Sequence, residues 1–133
     1  MSKVFEELEN DDGTVTKYRR HVNGRGRESA TATVDATAFV DTSAYVEDGA
    51  TVGRAARIGP GSWVEKGAVV GAGSIIGSAV NVGPDAQLGV AVKVGSHAKI
   101  GAAARIAAGA LIAGDAIVPE GAIVTKSGYE RAA

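Results

Sequence analysis

The chain of 133 residues contains no cysteine. That excludes disulfides, a thiolate nucleophile and cysteine-based metal sites. Histidine is nearly as scarce, with only His21 and His97. They lie too far apart in the chain to supply the three ligands of a histidine zinc site, so no metal is expected. Aromatic residues make up 5% of the chain, too few for a core built on large rings. The formal net charge of −1 gives no electrostatic reason to expect nucleic acid or an anionic membrane. No apolar run is long enough to span a bilayer. The opening MSKVFEELENDDG lacks the apolar stretch of a signal peptide, so a cytoplasmic location is expected. No Ser/His/Asp order and no phosphate-cradling loop is present. Glycine-rich stretches such as VGAGS read as turns.

The chain is rich instead in glycine, 19 residues of it, and in Ala, Val and Ile. Their placement is periodic. Steps of six from Val34 meet Val40, Val46, Val52, Ile58, Val64, Val70, Ile76, Val82, Leu88, Val94, Ile100, Ile106, Ile112, Val118 and Val124. Every position is Val, Ile or Leu, and chance would give this with odds on the order of one in 10^10. The residue two before each aliphatic is Ala, Ser or Val. Glycine concentrates one and three residues after it, as at Gly71 and Gly73. Glycine at a fixed phase implies a turn that wants positive φ. Between turns, the small residue and the aliphatic point one way and the residue between them points the other. Six residues are too few for a strand, a helix and a return. They suit a short strand and a corner, and three such sides close a triangular coil of about 18 residues.

The pattern, in stretches such as SIIGSAVNVGPDAQLG, resembles the hexapeptide repeat of the left-handed parallel β-helix. The resemblance spans residues 32–126 and implies an all-β fold of about five triangular coils. The left-handed winding comes from the family, since generic parallel crossovers favour the opposite hand. Residues 1–31 read as an N-terminal arm, with two strands of a hairpin around a DDG turn, and residues 127–133 as a short tail. Arg19, Arg20, Arg25 and Arg27 make the arm basic. The first coil holds Asp35, Asp41, Glu47 and Asp48 and no cation, so the arm is expected to cover that open edge. The arm's YRRHVNGRG also resembles the leaders of short hexapeptide-repeat proteins of actinobacterial phages, and in that setting the virion is the expected location.

Outward residues 18 apart should stack. One face then carries Thr33, Thr51, Val69, Gln87, Arg105 and Ile123; the next Phe39, Arg57, Ile75, Lys93 and Leu111; the last Tyr45, Trp63, Asn81, Lys99 and Ile117. Phe39, Tyr45, Trp63, Ile75, Leu111 and Ile117 are the expected interface, because apolar residues of this size on an outer face mark a contact. The family resemblance implies a three-fold homotrimer. No ice-binding threonine ladder is present, since only Thr33 and Thr51 stack.

For chemistry, the resemblance implies acyltransferases that use coenzyme A or acyl carrier protein, with a histidine as general base in an intersubunit cleft. Here His97 is the fallback base. Asp115, 18 residues on, should sit about 5 Å away, where it could orient the imidazole. Lys93, Lys99 and Arg105 project from the same coil and could attract a phosphate. The six-residue count never slips between 34 and 124, so no extruded loop builds a pocket. The sequence reading therefore favours a non-enzymatic trimeric module: a scaffold, a virion or surface component, or a ligand binder at subunit clefts. On that reading no catalytic residue and no cofactor is assigned. The alternative is a minimal acyltransferase using an acyl-coenzyme A donor.

Overall fold

The computed structural model describes residues 6–9, 11–126 and 128–130. After an N-terminal hairpin, β1 (Glu6–Glu9) and β2 (Val15–Arg20), comes β3 (Arg27–Ser29). Sixteen short strands follow at six-residue intervals, from β4 (Thr33–Val34) to β19 (Ile123–Thr125), and β20 (Gly128–Glu130) folds back on β19. No described residue is helical.

Three parallel stacks result, and they are the three faces expected. β4, β7 (Thr51–Val52), β10 (Val69–Val70), β13 (Gln87–Leu88), β16 (Arg105–Ile106) and β19 form the first. β5 (Phe39–Val40), β8 (Arg57–Ile58), β11 (Ile75–Ile76), β14 (Lys93–Val94) and β17 (Leu111–Ile112) form the second. The third holds β6 (Tyr45–Val46), β9 (Trp63–Val64), β12 (Asn81–Val82), β15 (Lys99–Ile100) and β18 (Ile117–Val118). Each strand pairs in register with the one 18 residues on, as Ile76 does with Val94. At about 4.8 Å per coil, five coils make a prism about 25 Å tall.

The interior is one continuous core. The hexad aliphatics from Val40 to Val124 are buried, and so are most of the small residues two before them. The phases between follow from local chemistry. Ser62 and Ser74 replace alanine at buried positions, where each hydroxyl donates to a carbonyl of the next coil (Gly77 O, 2.6 Å; Gly89 O, 2.9 Å). Each also accepts from an amide 18 residues on (Val80 and Val92, both 3.0 Å), so no polar group is stranded.

The two glycine phases have different causes, and here the sequence reading needs correcting. Glycines three after the aliphatic do take positive φ, as at Gly73 (φ 69). Those one after, such as Gly71, do not; they are small because the next coil's backbone lies against them. The left-handed corners also accept Ala55, Ala79, Ala91, Ala103, Asp85, His97 and Asp115. Early corners are made differently. Asp35 Oδ1 accepts from Thr37 N (2.9 Å), and Asp41 Oδ1 from Ser43 N (3.1 Å), so an Asx turn replaces the left-handed residue.

The arm covers the edge of the first coil as a strand on the third face alone, while β4 and β5 end their own stacks. β3 pairs in parallel with β6, placing Glu28 directly below Val46 in the aliphatic column. β2 pairs antiparallel with β3, and β1 with β2, so the arm extends the third face. Coil register therefore begins at Arg27, inside the stretch read as arm. Of the tail, Ser127 and residues 131–133 lie outside the described residues.

Candidate functional site

His97 lies on the corner between the second and third faces, four residues after Lys93 and two before Lys99. Its backbone is left-handed (φ 66), its amide donates to Ser78 O (2.8 Å) and its side chain is exposed. Few non-glycine residues adopt this conformation, although histidine is among those enriched in it. Asp115 takes the same corner one coil later (φ 62), with its amide on Ser96 O (2.9 Å). The two stack as the spacing implies, yet their side chains are joined by neither a hydrogen bond nor an ion pair. The structure thus places them on one corner but does not assemble them into a dyad.

Beside this corner runs an open cleft of about 410 Å³. Phe39, Arg57 and Ile75 line its second-face side, and Pro60, Ser78 and Ser96 the corner itself. The Arg57 guanidinium stacks 4.7 Å from the Phe39 ring centre. Ser96 Oγ accepts the Ser78 amide (3.1 Å). The groove has one apolar wall, two hydroxyls and charges of both signs, the Arg57 guanidinium and the Asp41 carboxylate, and so suits an elongated molecule with both apolar and polar parts. Lys93 and Lys99 are exposed on either side of the corner, while Arg105 projects from the first face. The three cations form a girdle and do not converge on one point. Among the described residues, no group of three His, Asp or Glu could hold a metal ion.

The expected interface residues divide into two sets. Ile75 (44% exposed), Leu111 (72%) and Ile117 (75%) are bare apolar surface. Trp63 is as exposed as Ile75 although its ring stacks within the chain, and Phe39 and Tyr45 are half-buried by contacts within the chain. Tyr45 stacks on Trp63 (5.3 Å between centres), takes Tyr18 edge-on (5.5 Å) and lies under Arg27 (5.3 Å). Glu47 organises this group, and sequence reasoning missed it. Its carboxylate is buried and accepts from Tyr18 Oη (2.5 Å) and Trp63 Nε1. Burial, then the Glu47 contact, pushes the Tyr18 hydroxyl far above its ordinary range. A second cleft of about 450 Å³ opens here, bounded by Glu9, Asp11, Tyr18, Glu47, Trp63 and Glu65 among others.

No family model matches the sequence, and neither does any curated protein. Solved structures do match the fold. The acetyltransferase domain of PglB from Neisseria gonorrhoeae, in complex with acetyl coenzyme A, is similar with a TM-score of 0.60 and 20% identity over 79% of this chain. WeeI from Acinetobacter baumannii is similar with a TM-score of 0.57 and 18% identity over 78% of this chain. The chain covers 56% of each of those two chains. The likeness establishes the fold class, the parallel β-helix of hexapeptide-repeat proteins.

Proposed function

We propose that this chain is a compact acyltransferase of the hexapeptide-repeat type, with His97 as the general base and an acyl-coenzyme A as donor. The observation that carries this reading is the exposed imidazole, held at φ 66 on a corner that borders the Arg57–Ser96 cleft. The fold's similarity to a structure titled an acetyltransferase with acetyl coenzyme A supports it. So the reading favours what the sequence alone put second.

The donor supplies an acyl thioester. The cleft's apolar wall, at Phe39 and Ile75, suits the donor's thin arm, and Arg57, the one cation among its lining residues, suits a phosphate. His97 takes the proton from an acceptor N–H or O–H as that atom bonds to the thioester carbon. The C–S bond then breaks and the thiolate leaves, to be protonated by His97 or solvent.

The site is completed by a neighbour in a three-fold homotrimer, in which the second and third faces meet those of adjacent copies. Exposed Ile75, Leu111 and Ile117 support this arrangement. Leu111→Asp, at a site too exposed to disturb the core, is expected to sediment as a monomer. An intact trimer from that variant refutes the placement.

The test of the chemistry is calorimetry with acetyl coenzyme A and thiol release with small amine and alcohol acceptors. Wild type is expected to bind with micromolar Kd. His97→Ala should keep binding and fold, because alanine already occupies the same corner at Ala79, and lose at least about 10²-fold in turnover. Wild type that does not bind the donor returns the second reading, a non-enzymatic trimeric module. The unbroken hexad count, which leaves no loop to close over a pocket, favours that alternative.

A further inference from the structure

His21, the second histidine, lies at the opposite kind of site. It is 2% exposed, at the end of β2 beneath the first coil. Its Nε2 is 2.8 Å from Ala38 O, which can only accept. Its Nδ1 is 3.1 Å from Glu28 Oε1, the carboxylate that stands in the aliphatic column. Glu28 Oε2 is buried with no hydrogen-bond partner. Arg19 reaches Glu28 Oε1 at 3.4 Å and extends to the carbonyls of Ala30 (3.5 Å) and Ala32 (3.3 Å).

Two acceptors facing one imidazole require two protons between ring and carboxyl. Either the ring is imidazolium beside a carboxylate, or a neutral ring donates to Ala38 and accepts from a protonated Glu28. The proton count is the same. Removing one proton leaves either Nδ1 facing the carboxylate or Nε2 facing Ala38 O with no hydrogen between. In a buried site neither is relieved by water.

We propose that the N-terminal arm is a proton-held cap: the shared proton between His21 and Glu28 fastens the arm to the first coil, and its loss releases the edge strand beneath. The arm is also held away from the latch, by Tyr18 Oη on Glu47, Ser29 Oγ on Asp48 and Arg20 on Thr42 O, so the latch governs chiefly the turn and the start of β3. Gly26 N donates to Val40 O (2.9 Å), Arg27 N to Ala44 O (3.0 Å) and Val40 N to Asn23 O (3.0 Å). Release would bare β6 and the foot of the aliphatic column, the edge that a capped prism hides.

Charged groups on every packed element bear on the latch: Glu28 from β3, Arg19 from β2 and, at longer range, Asp35 after β4. Burial opposes the charge on His21, yet the hydrogen bonds its ring donates to Glu28 and Ala38 O, with the Glu28 charge, outweigh it and raise its pKa above the ordinary 6.5. Burial likewise opposes the Glu28 charge, and His21 and Arg19 outweigh it and lower its pKa below 4.5. A raised histidine contributes its stability in full below 6.5 and loses it as pH rises through the folded value. The lowered carboxylate contributes above 4.5 and loses it as pH falls through its own folded value. The cap is therefore tightest between the two and opens on the alkaline side.

Amide hydrogen exchange on the full chain tests this, corrected for intrinsic base catalysis. Protection at Gly26 and Arg27 is expected to fall about ten-fold or more between about pH 6 and about pH 10, while Gly77 and Gly83 in the central coils hold theirs. Glu28→Gln should invert the profile. Its amide can donate to Nδ1 of a neutral ring, so that cap tightens as His21 loses its proton and loosens as it gains one. In wild type, ¹⁵N shifts of the His21 ring should show both nitrogens more than half protonated at pH 6.5, where an ordinary imidazole is half protonated. A neutral tautomer with Glu28 ionised, arm protection that ignores pH, or an unaltered profile in Glu28→Gln would each overturn the proposal.

Discussion

Ile76→Asp is expected to leave no folded β-helix at room temperature. Ile76 is buried at mid-prism, between Ile58 below and Val94 above in the second-face column. The interior at that level holds only aliphatic and small side chains, apart from the Ser74 hydroxyl, which is already committed to Gly89 O and Val92 N. A carboxylate there has no donor to meet and no water to reach. It either stays charged without a partner or takes up a proton, and both cost several kcal/mol. The lost aliphatic adds a packing defect that rigid neighbouring coils cannot fill. Against a total stability of about 5–15 kcal/mol, that is decisive. Lys66→Asp, on an exposed turn, should cost under about 0.5 kcal/mol. Circular dichroism melts of the two variants are the check, and equal shifts would mean that the inward phase is misassigned.

Gly71→Ala should be far more damaging than Gly73→Ala, although the two glycines are two residues apart. A Cβ on Gly71 would stand 2.7 Å from the Val90 nitrogen and closer still to the Gly89 carbonyl. Both are backbone atoms tied into the ladder: Gly71 N donates to Leu88 O (2.9 Å) and Gly89 N to Ile106 O (2.9 Å). The coils must part or tilt to admit the methyl group, breaking bonds on either side. A cost of several kcal/mol is expected, at the upper end for overpacking. At Gly73 a Cβ would meet nothing within 4 Å, and the penalty is the left-handed backbone alone, about 1 kcal/mol. The measure is the difference in urea midpoints. If Gly73→Ala proved the worse, the account of the two glycine phases would fail.

That contrast shows where the sequence is legible. Hexad aliphatics, outward columns and the three faces follow from counting alone, because each coil repeats one environment and any misplaced residue would disturb its neighbours above and below. The candidate base was legible in the same way, since His97 and Asp115 differ by one full coil. What counting did not reveal is chemistry that breaks the repeat. Stepping six residues back from Val34 lands on Glu28, a carboxylate in an inward phase, and that alone signals a buried partner. The partner, His21, is outside the repeat, and only tertiary packing brings it there. Glu47 occupies a phase that holds glycine in half of the repeats and a carboxylate also at Asp35, Asp41 and Glu65, so the sequence does not single it out. Its link to Tyr18 depends on how the hairpin lies across the third face, which no periodicity encodes. Trp63 is exposed as read, whereas Tyr45 is half-buried because the ring that packs edge-on against it comes from the arm.

The in-register pairing of each strand with its counterpart 18 residues on gives the chain an unusual grammar of insertion and loss. Removing or duplicating 18 residues within the prism would shorten or lengthen it by one storey and return every later side chain to the same compass bearing. Removing six would spare the core, since all inward phases are interchangeable, but would swing everything downstream by a third of a turn. Lys93, Lys99, His97 and Leu111 would then look in new directions from an intact stem. Such a protein can change its height in whole storeys while keeping its outward surfaces aligned, and can redirect them with a change the core barely registers.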